Sequence, residues 1–246
     1  MGSAVVQIES RAGLTRASFG VSSCDSCAAS ADCLARRILS TDGNSYQLLK
    51  NIKVISPRDH VFQAGDITDM PYVVRSGSVK SYILTEEGDE QVLNFYHPGD
   101  IVGLDGIGVK RYLTSSISLE NTTLCKLPFT MLMNQDLGVS FLNKISGYLI
   151  HDHNMKLILA TKDADGRMAS FLLDLSRRFI KHDCKQNQLV LTMTRKDMAN
   201  YLGLAIETVS RVLSRFQDNG LLVITRRKID ICDIDGLQSI AGTQIR

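Results

Sequence analysis

The sequence predicts an α+β chain made of an N-terminal antiparallel β-roll, one long dimerisation helix and a C-terminal winged helix-turn-helix. Three observations predict it. Between Ile52 and Phe129, short runs rich in Val, Ile, Tyr and Phe alternate with the turn signals SPRD, AGD, RSG, EEGD, HPGD and GIG; strands of about four to six residues at that spacing make a double-sheet roll. From Ser140 to Lys162 apolar residues recur at helical steps, with Gly147 as the single interruption. From Thr192 to Leu222 two short helical patterns flank a Gly turn. With 246 residues, 44% of them hydrophobic, the chain can build more than one core. The expected division is an N-terminal arm over 1–50, a sensor roll over 51–137, the long helix over 138–164 and a DNA reader over 165–246.

Charge and apolar runs exclude some classes. From Asp165 onward there are 13 Lys or Arg against 9 Asp or Glu, whereas the remainder of the chain holds 15 against 17. The basic excess thus lies at the C-terminal end, where contact with phosphates would need it. No apolar run approaches the ~18 residues of a membrane span, and Glu9 and Arg11 interrupt the start where a signal peptide needs its apolar stretch. A cytoplasmic protein without a membrane partner is expected. Neither a nucleophile paired with a base nor a Gly-rich phosphate cradle is present, so no enzyme is expected.

In the arm, SCDSCAASADC places Cys24, Cys27 and Cys33 in a C-x2-C-x5-C array among small and polar residues unsuited to a core. Such a turn aims several thiolates at one point, which suits zinc or an iron-sulfur cluster, both of which take about four soft ligands. Cys125, in TTLCKLPF just before the long helix, is the candidate fourth; its setting also suits an ordinary buried strand cysteine. Cys184 and Cys232 lie in the C-terminal part. Residues 34 to 50 offer a short helix candidate and a polar loop.

In the roll, the clearest unit is a hairpin: Val79 to Leu84, a tip from Thr85 to Asp89 with Gly88 where φ can be positive, then Glu90 to Tyr96. Gly65, Gly77 and Gly99 read as turn glycines. A cyclic-nucleotide-binding-like jelly roll of this kind could take a small ligand, but Lys110 and Arg111 do not form the Arg-Ser or Arg-Thr pair such a site uses. The roll reads as a scaffold.

The long helix offers two seams, Phe141, Ile145, Tyr148, Asp152, Met155, Leu159 and Leu142, Ile145, Leu149, Asp152, Lys156. One can pack on its own domain and the other on a second copy. In a two-fold dimer the Asp152 carboxylates would oppose one another and weaken association; a core helix with one solvated Asp is the plainer alternative.

Asp165 to Lys181 reads as an amphipathic helix with Met168, Phe171, Leu172, Leu175 and Phe179 inward and Arg177 and Arg178 outward, followed by the short strand LVLTM. Thr194 and Asp197 then form a capping pattern, Gly203 makes the turn, Ile206 to Asp218 form the second helix, and Gly220 ends it. Glu207, Ser210 and Arg211 sit near the start of that second helix on the exposed side, where a recognition helix meets base edges: Arg suits guanine, Glu cytosine, Ser thymine or a phosphate. Arg195 and Thr208 join them as candidate DNA contacts. LLVITRRKIDIC reads as a wing with Arg226, Arg227 and Lys228 at its tip for phosphates.

TMTRKDMANYLGLAIETVSRVLSRFQDNGLL, the roll turns RSGSVKSY, TEEGDEQ and HPGDIVGLDGIG, and the cysteine array together resemble the CRP/FNR superfamily, specifically its FNR-type anaerobic branch, from about Cys24 to Gly242. Glu207-x-x-Ser210-Arg211 matches the FNR pattern; the cyclic AMP receptor branch has Arg where Ile206 stands. The resemblance implies an oxygen-labile 4Fe-4S cluster on Cys24, Cys27, Cys33 and Cys125, a homodimer when active, and double-stranded DNA carrying an inverted repeat like TTGAT…ATCAA. It also implies that the tip matching Thr85, Gly88 and Asp89 contacts RNA polymerase. A redox switch through zinc or thiols, or a small ligand in the roll, are the alternatives. Three positions depart from the family pattern: Ala205 replaces a capping Thr, Lys156 an apolar seam residue, and Asp32 an apolar neighbour of Cys33.

Overall fold

The computed structural model describes residues 27, 33, 52–68, 70–127, 135–180 and 188–242. Eight strands form the N-terminal unit: β1 (Ile52–Ile55), β2 (His60–Phe62), β3 (Tyr72–Ser76), β4 (Val79–Leu84), β5 (Glu90–Tyr96), β6 (Ile101–Val102), β7 (Ser115–Ser118) and β8 (Thr122–Lys126). They make two antiparallel sheets, ordered β1-β8-β3-β6 and β2-β7-β4-β5. Inward residues of both, among them Ile55, Val61, Val74, Val79, Val102 and Leu124, close one core, with Phe62 stacked on Tyr112 at 3.6 Å between ring centres. The double-sheet roll is therefore as the alternating strand pattern predicts.

The hairpin strands have the expected bounds, with a bulge where Ser81 pairs Asn94 and Tyr82 pairs Val92. Val79 pairs Tyr96 and Leu84 pairs Glu90, and the tip closes through Thr85 N to Asp89 O at 2.9 Å and Gly88 N to Thr85 O at 3.0 Å. Gly65, Gly77, Gly88 and Gly99 all take positive φ, as turn glycines should.

Strand β3 has a core on each face, because successive side chains alternate across the sheet. Val74 points into the roll, whereas Val73 points outward to join Ile101, Leu127 and Phe141. Phe141 belongs to α1 (Gln135–Thr161), which begins five residues before the expected Ser140 and so straddles the expected boundary at 137/138. Helix α2 (Ala164–Ile180) follows, then β9 (Gln188–Val190), α3 (Arg195–Leu202), α4 (Ile206–Asp218), β10 (Leu222–Thr225), β11 (Lys228–Ile231) and α5 (Ile234–Ala241). The wing is a three-stranded sheet ordered β10-β11-β9, one strand more than the hairpin read from sequence. Among the described residues no helix is long and apolar enough to cross a membrane.

The long helix carries two faces, but they divide differently from the expected seams. Phe141, Met155 and Ile158 are buried, while Leu142 and Leu149 are 64% and 53% exposed. Asp152 and Lys156 are exposed, and Ile145 is half-buried between the faces. The inward stripe does not run through Asp152; His151 takes that place, its Nδ1 3.6 Å from Asp174. Across the interface α2 supplies the Asp174 carboxylate and the Arg178 guanidinium, and the His151 ring lies within reach of both.

Arg178 is likewise a correction. Helical period places it outward, yet it turns inward between the units. Its Nε lies 3.0 Å from Asp174 on its own helix and its Nη1 3.6 Å from Asp100 of the roll, and Nη1 donates to Phe95 O at 3.3 Å. Burial opposes the charged guanidinium, but Asp174 and Asp100 outweigh it and hold its pKa above the ordinary value. Arg177 is exposed, as expected.

Candidate nucleic-acid interface and thiol centre

The reader is built from local signals. Thr194 caps α3 by accepting from Asp197 N at 3.1 Å, and Asp197 Oδ2 accepts from Thr194 N at 2.9 Å, closing a capping box. Gly203 ends α3 at φ +62, a left-handed conformation that a side chain would disfavour, and this sets the angle to α4. Val209, Val212, Leu213 and Phe216 bury one face of α4 and leave the other free. Glu207, Ser210 and Arg211 are exposed on that free face, Thr208 is half-buried, and Arg211 Nη2 donates to Thr208 Oγ1 at 3.4 Å. Ser210 Oγ donates to Ile206 O at 3.1 Å. The N-cap of α4 is Ala205, with extended φ −73 and ψ 150 and no side-chain cap bond, so this helix start lacks what Thr194 gives α3.

At the wing tip Arg226 (φ +57) and Arg227 are exposed, and Lys228 opens β11. Arg195 is placed less openly than the others. It is half-buried, its Nη1 is enclosed without a hydrogen-bond partner among the described residues, and burial lowers its pKa.

The second site is a group of thiols on the outer face of β3. Cys33 is buried in the cluster of Val73, Ile101, Leu127 and Phe141, and Cys27, Cys125, Ile145 and Tyr148 pack against it. Cys125 lies on β8 opposite Val73. Three of the four expected cysteines thus border one apolar cluster beside the first turns of α1; Cys24, Asp32 and Cys184 lie outside the described residues, and Cys232 is exposed at the end of the wing. Among the described residues no three His, Cys, Asp or Glu side chains gather as a site for one metal ion. A donor set of soft thiols in apolar surroundings still fits a sulfide-bridged iron cluster in kind, since that group takes Cys thiolates alone and spreads them over more than one metal.

Tyr148 links this site to the roll: Ile101 N donates to its hydroxyl at 2.7 Å, and burial, then Asp100, push the phenol well above its usual pKa. The hairpin tip residues Thr85, Gly88 and Asp89 are exposed, and the strand that leaves the tip at Glu90 accepts a hydrogen bond from Asn200 of α3.

Sequence reasoning missed the joint between roll and reader. Val92 and Phe95 of β5 belong to the reader's core, Phe95 lying 5.2 Å edge-on from Tyr201 and 6.1 Å from Phe171. Around them Lys80 Nζ meets Asp197 Oδ1 at 2.7 Å and Glu90 at 2.8 Å. The only sequence hint is the spacing of Asp174 and Arg178, an i,i+4 pair.

A roll bordered by one buried and two half-buried cysteines at the foot of a long helix, joined to an exposed recognition helix and wing, has the layout of a transcription regulator. Residues 166–240 match the Crp-like helix-turn-helix domain and residues 52–135 the cyclic nucleotide-binding domain. The chain is 39% identical over 200 residues to the fumarate and nitrate reduction regulatory protein of Salmonella typhi, and 38% identical to that of Escherichia coli K12, in each case over 79% of this chain and 80% of the relative. The chain belongs to the CRP/FNR superfamily, in its fumarate and nitrate reduction branch. Among solved structures, FixK2 from Bradyrhizobium japonicum superposes with TM-score 0.71 at 26% identity, covering 78% of this chain and 97% of that one. The CRP/FNR-family regulator TTHA1359 from Thermus thermophilus shares the fold, with TM-score 0.63 at 24% identity over 77% of this chain and 97% of its own.

Proposed function

We propose that this regulator responds to oxygen, with a 4Fe-4S cluster on Cys24, Cys27, Cys33 and Cys125 favouring a homodimer that binds an inverted repeat like TTGAT…ATCAA under anaerobic conditions. The observation that supports this is that Cys27, Cys33 and Cys125 border the same apolar cluster as Phe141, Ile145 and Tyr148 of α1. When bound, the group supplies an oxygen-labile, thiolate-held centre. The chain's own residues convert its presence into assembly. Holding Cys27 and Cys33 against Cys125 keeps the inner face of α1 seated on the roll, which presents Leu142, Ile145 and Leu149 to a second copy. Asp152 opposes that contact by carboxylate repulsion, so the dimer needs the differential binding that the ordered arm contributes, and Lys156 sets a charge of opposite sign beside it where the family pattern has an apolar residue.

In the dimer the two α4 helices lie one DNA turn apart, about 34 Å. Glu207, Ser210 and Arg211 read base edges; Arg195, Thr208, Arg226 and Arg227 hold phosphates. Thr85, Gly88 and Asp89 meet RNA polymerase at the hairpin tip, in the cytoplasm. The proposed units are the arm (1–50), the roll (51–137), the dimer helix (138–164) and the reader (165–246).

The test is anaerobic reconstitution with iron and sulfide, following visible absorption and sedimentation mass together before and after air. Cluster absorption with a dimer that falls to monomer in air is expected. A dimer indifferent to air, or no bound iron, would overturn the reading in favour of zinc or thiol oxidation. The match of the roll to cyclic nucleotide-binding domains gives a second reading, a small ligand in the roll. Against it, Arg111 Nη1 is spent on Gly65 O at 2.8 Å, and Phe62 and Tyr112 fill the interior. Thermal stabilisation by cyclic AMP would revive it.

A further inference from the structure

We infer that Lys80, a residue of the roll remote from the recognition helix, is a positioning residue for DNA binding: through Asp197 it sets the orientation of the reader on the sensor. The inference rests on the proposal that the exposed face of α4 binds DNA.

Lys80 is 8% exposed, as is Asp197. Asp197 uses its two oxygens for different jobs. Oδ2 closes the capping box on Thr194, and Oδ1 takes the Lys80 ammonium at 2.7 Å. The carboxylate that starts α3 is thus also its tether to β4. Glu90 completes the pair from the neighbouring strand at 2.8 Å. Burial works against the Lys80 charge, but the hydrogen bonds to Asp197 and Glu90 together outweigh it and hold its pKa above the ordinary value; in the same way Lys80 and Thr194 hold Asp197 below its own against burial.

One turn along α3, Asn200 grips the same hairpin. Its Oδ1 accepts from Val92 N at 2.5 Å, its Nδ2 donates to Glu90 O at 2.5 Å, and Gln91 Nε2 donates to Asn200 O at 3.2 Å. Before the helix, Ser78 Oγ donates to Thr192 Oγ1 at 2.7 Å. Helix α3 is therefore held at two points, Asp197 and Asn200, and the segment before it at a third, Thr192, by residues of one hairpin and its approach. Apolar contact beneath, from Val92 and Phe95, supplies adhesion without direction. The buried ion pair supplies direction, since a lysine and a carboxylate must meet at hydrogen-bond distance whereas apolar surfaces can slide. The grip falls on α3 and leaves Glu207, Ser210 and Arg211 exposed. A reader free to swing would have to be ordered at the moment of binding, at a cost in affinity.

The test uses the full-length protein and a duplex carrying the TTGAT…ATCAA repeat, with affinity read by fluorescence anisotropy and unfolding by calorimetry without DNA. Lys80→Met is expected to weaken binding about tenfold through lost pre-orientation, and Lys80→Arg to recover most of it. In an Asp197→Asn background Lys80→Met should cost little more, because the two residues act as one unit. Calorimetry should show the single transition of the parent splitting in two. Wild-type affinity in Lys80→Met, or an undiminished loss in the Asp197→Asn background, would overturn the inference. If Lys80→Met does not fold, Asn200→Ala removes the neighbouring grip from the reader's side and is expected to weaken binding likewise; unchanged affinity there also overturns it. Failure of the parent to bind the repeat would fell the target reading alone, and the calorimetric splitting would still decide the joint.

Discussion

Ala205→Thr should stabilise the reader. Ala205 already has the extended backbone of an N-cap, at φ −73 and ψ 150, and it is exposed, so a threonine enters without strain or crowding. Its hydroxyl would come within reach of the amide of Thr208, the third residue of α4, as Thr194 reaches Asp197 N at 3.1 Å one helix earlier. An alanine at an N-cap costs about 1 kcal/mol relative to threonine. For a chain of 246 residues that unfolds as one unit, that corresponds to a rise of roughly 2–4 °C in Tm. Urea unfolding followed by far-UV circular dichroism measures the change, with the slope expected to stay constant so that the midpoint alone moves. A gain below about 0.3 kcal/mol, the level at which capping effects vanish, would refute the reasoning and mean that water serves these amides as well as a hydroxyl does.

Three further outcomes are expected. Asp152→Ala should strengthen dimerisation of the cluster-free protein, seen as a higher sedimentation mass at equal concentration, because it removes an exposed carboxylate beside Leu149 from a two-fold seam; an unchanged mass would remove Asp152 from the seam. Asp174 is held below the usual carboxylate pKa of 3.8, because His151 and Arg178 outweigh its burial. A depressed folded pKa gives stability that is complete above the unfolded value and lost as pH falls through the folded one. Asp174→Asn should therefore lower stability at neutral pH, and its difference from the parent should shrink below about pH 4 in urea titrations; a constant difference would contradict the pairing. Gly203→Ala should destabilise by about 1–2 kcal/mol, since φ is +62 there; wild-type stability would show that the turn can relax.

What could be read from the sequence was what its neighbours decide. The hairpin from Val79 to Tyr96 depends on alternation and a Gly tip, and the helix-turn-helix on Thr194, Asp197 and Gly203, all within a few residues of what they shape. Cys24, Cys27 and Cys33 could be grouped because they fall within ten residues among small and polar neighbours, whereas Cys125, on a strand, suited a buried position equally well. The misplacements concern partners far apart in the chain. Lys80 and Asp197 are 117 residues apart, and nothing near Lys80 marks it as other than a strand lysine. Arg178 looks outward by helical period alone, yet Asp100 and the Phe95 carbonyl, some 80 residues upstream, draw it in. Asp152 could be written on both stripes because a heptad does not say which edge faces inward; the choice of His151 was made by Asp174 on another helix.

Strand β3 gives the sensor an unusual independence. Because Val74 belongs to a filled interior while Val73, one residue away, belongs to the thiol side, the strand is a party wall between a permanent room and a conditional one. If the outer room held the proposed cluster, its loss would strip one side of the wall and leave the packing on the other side, around Val74, in place.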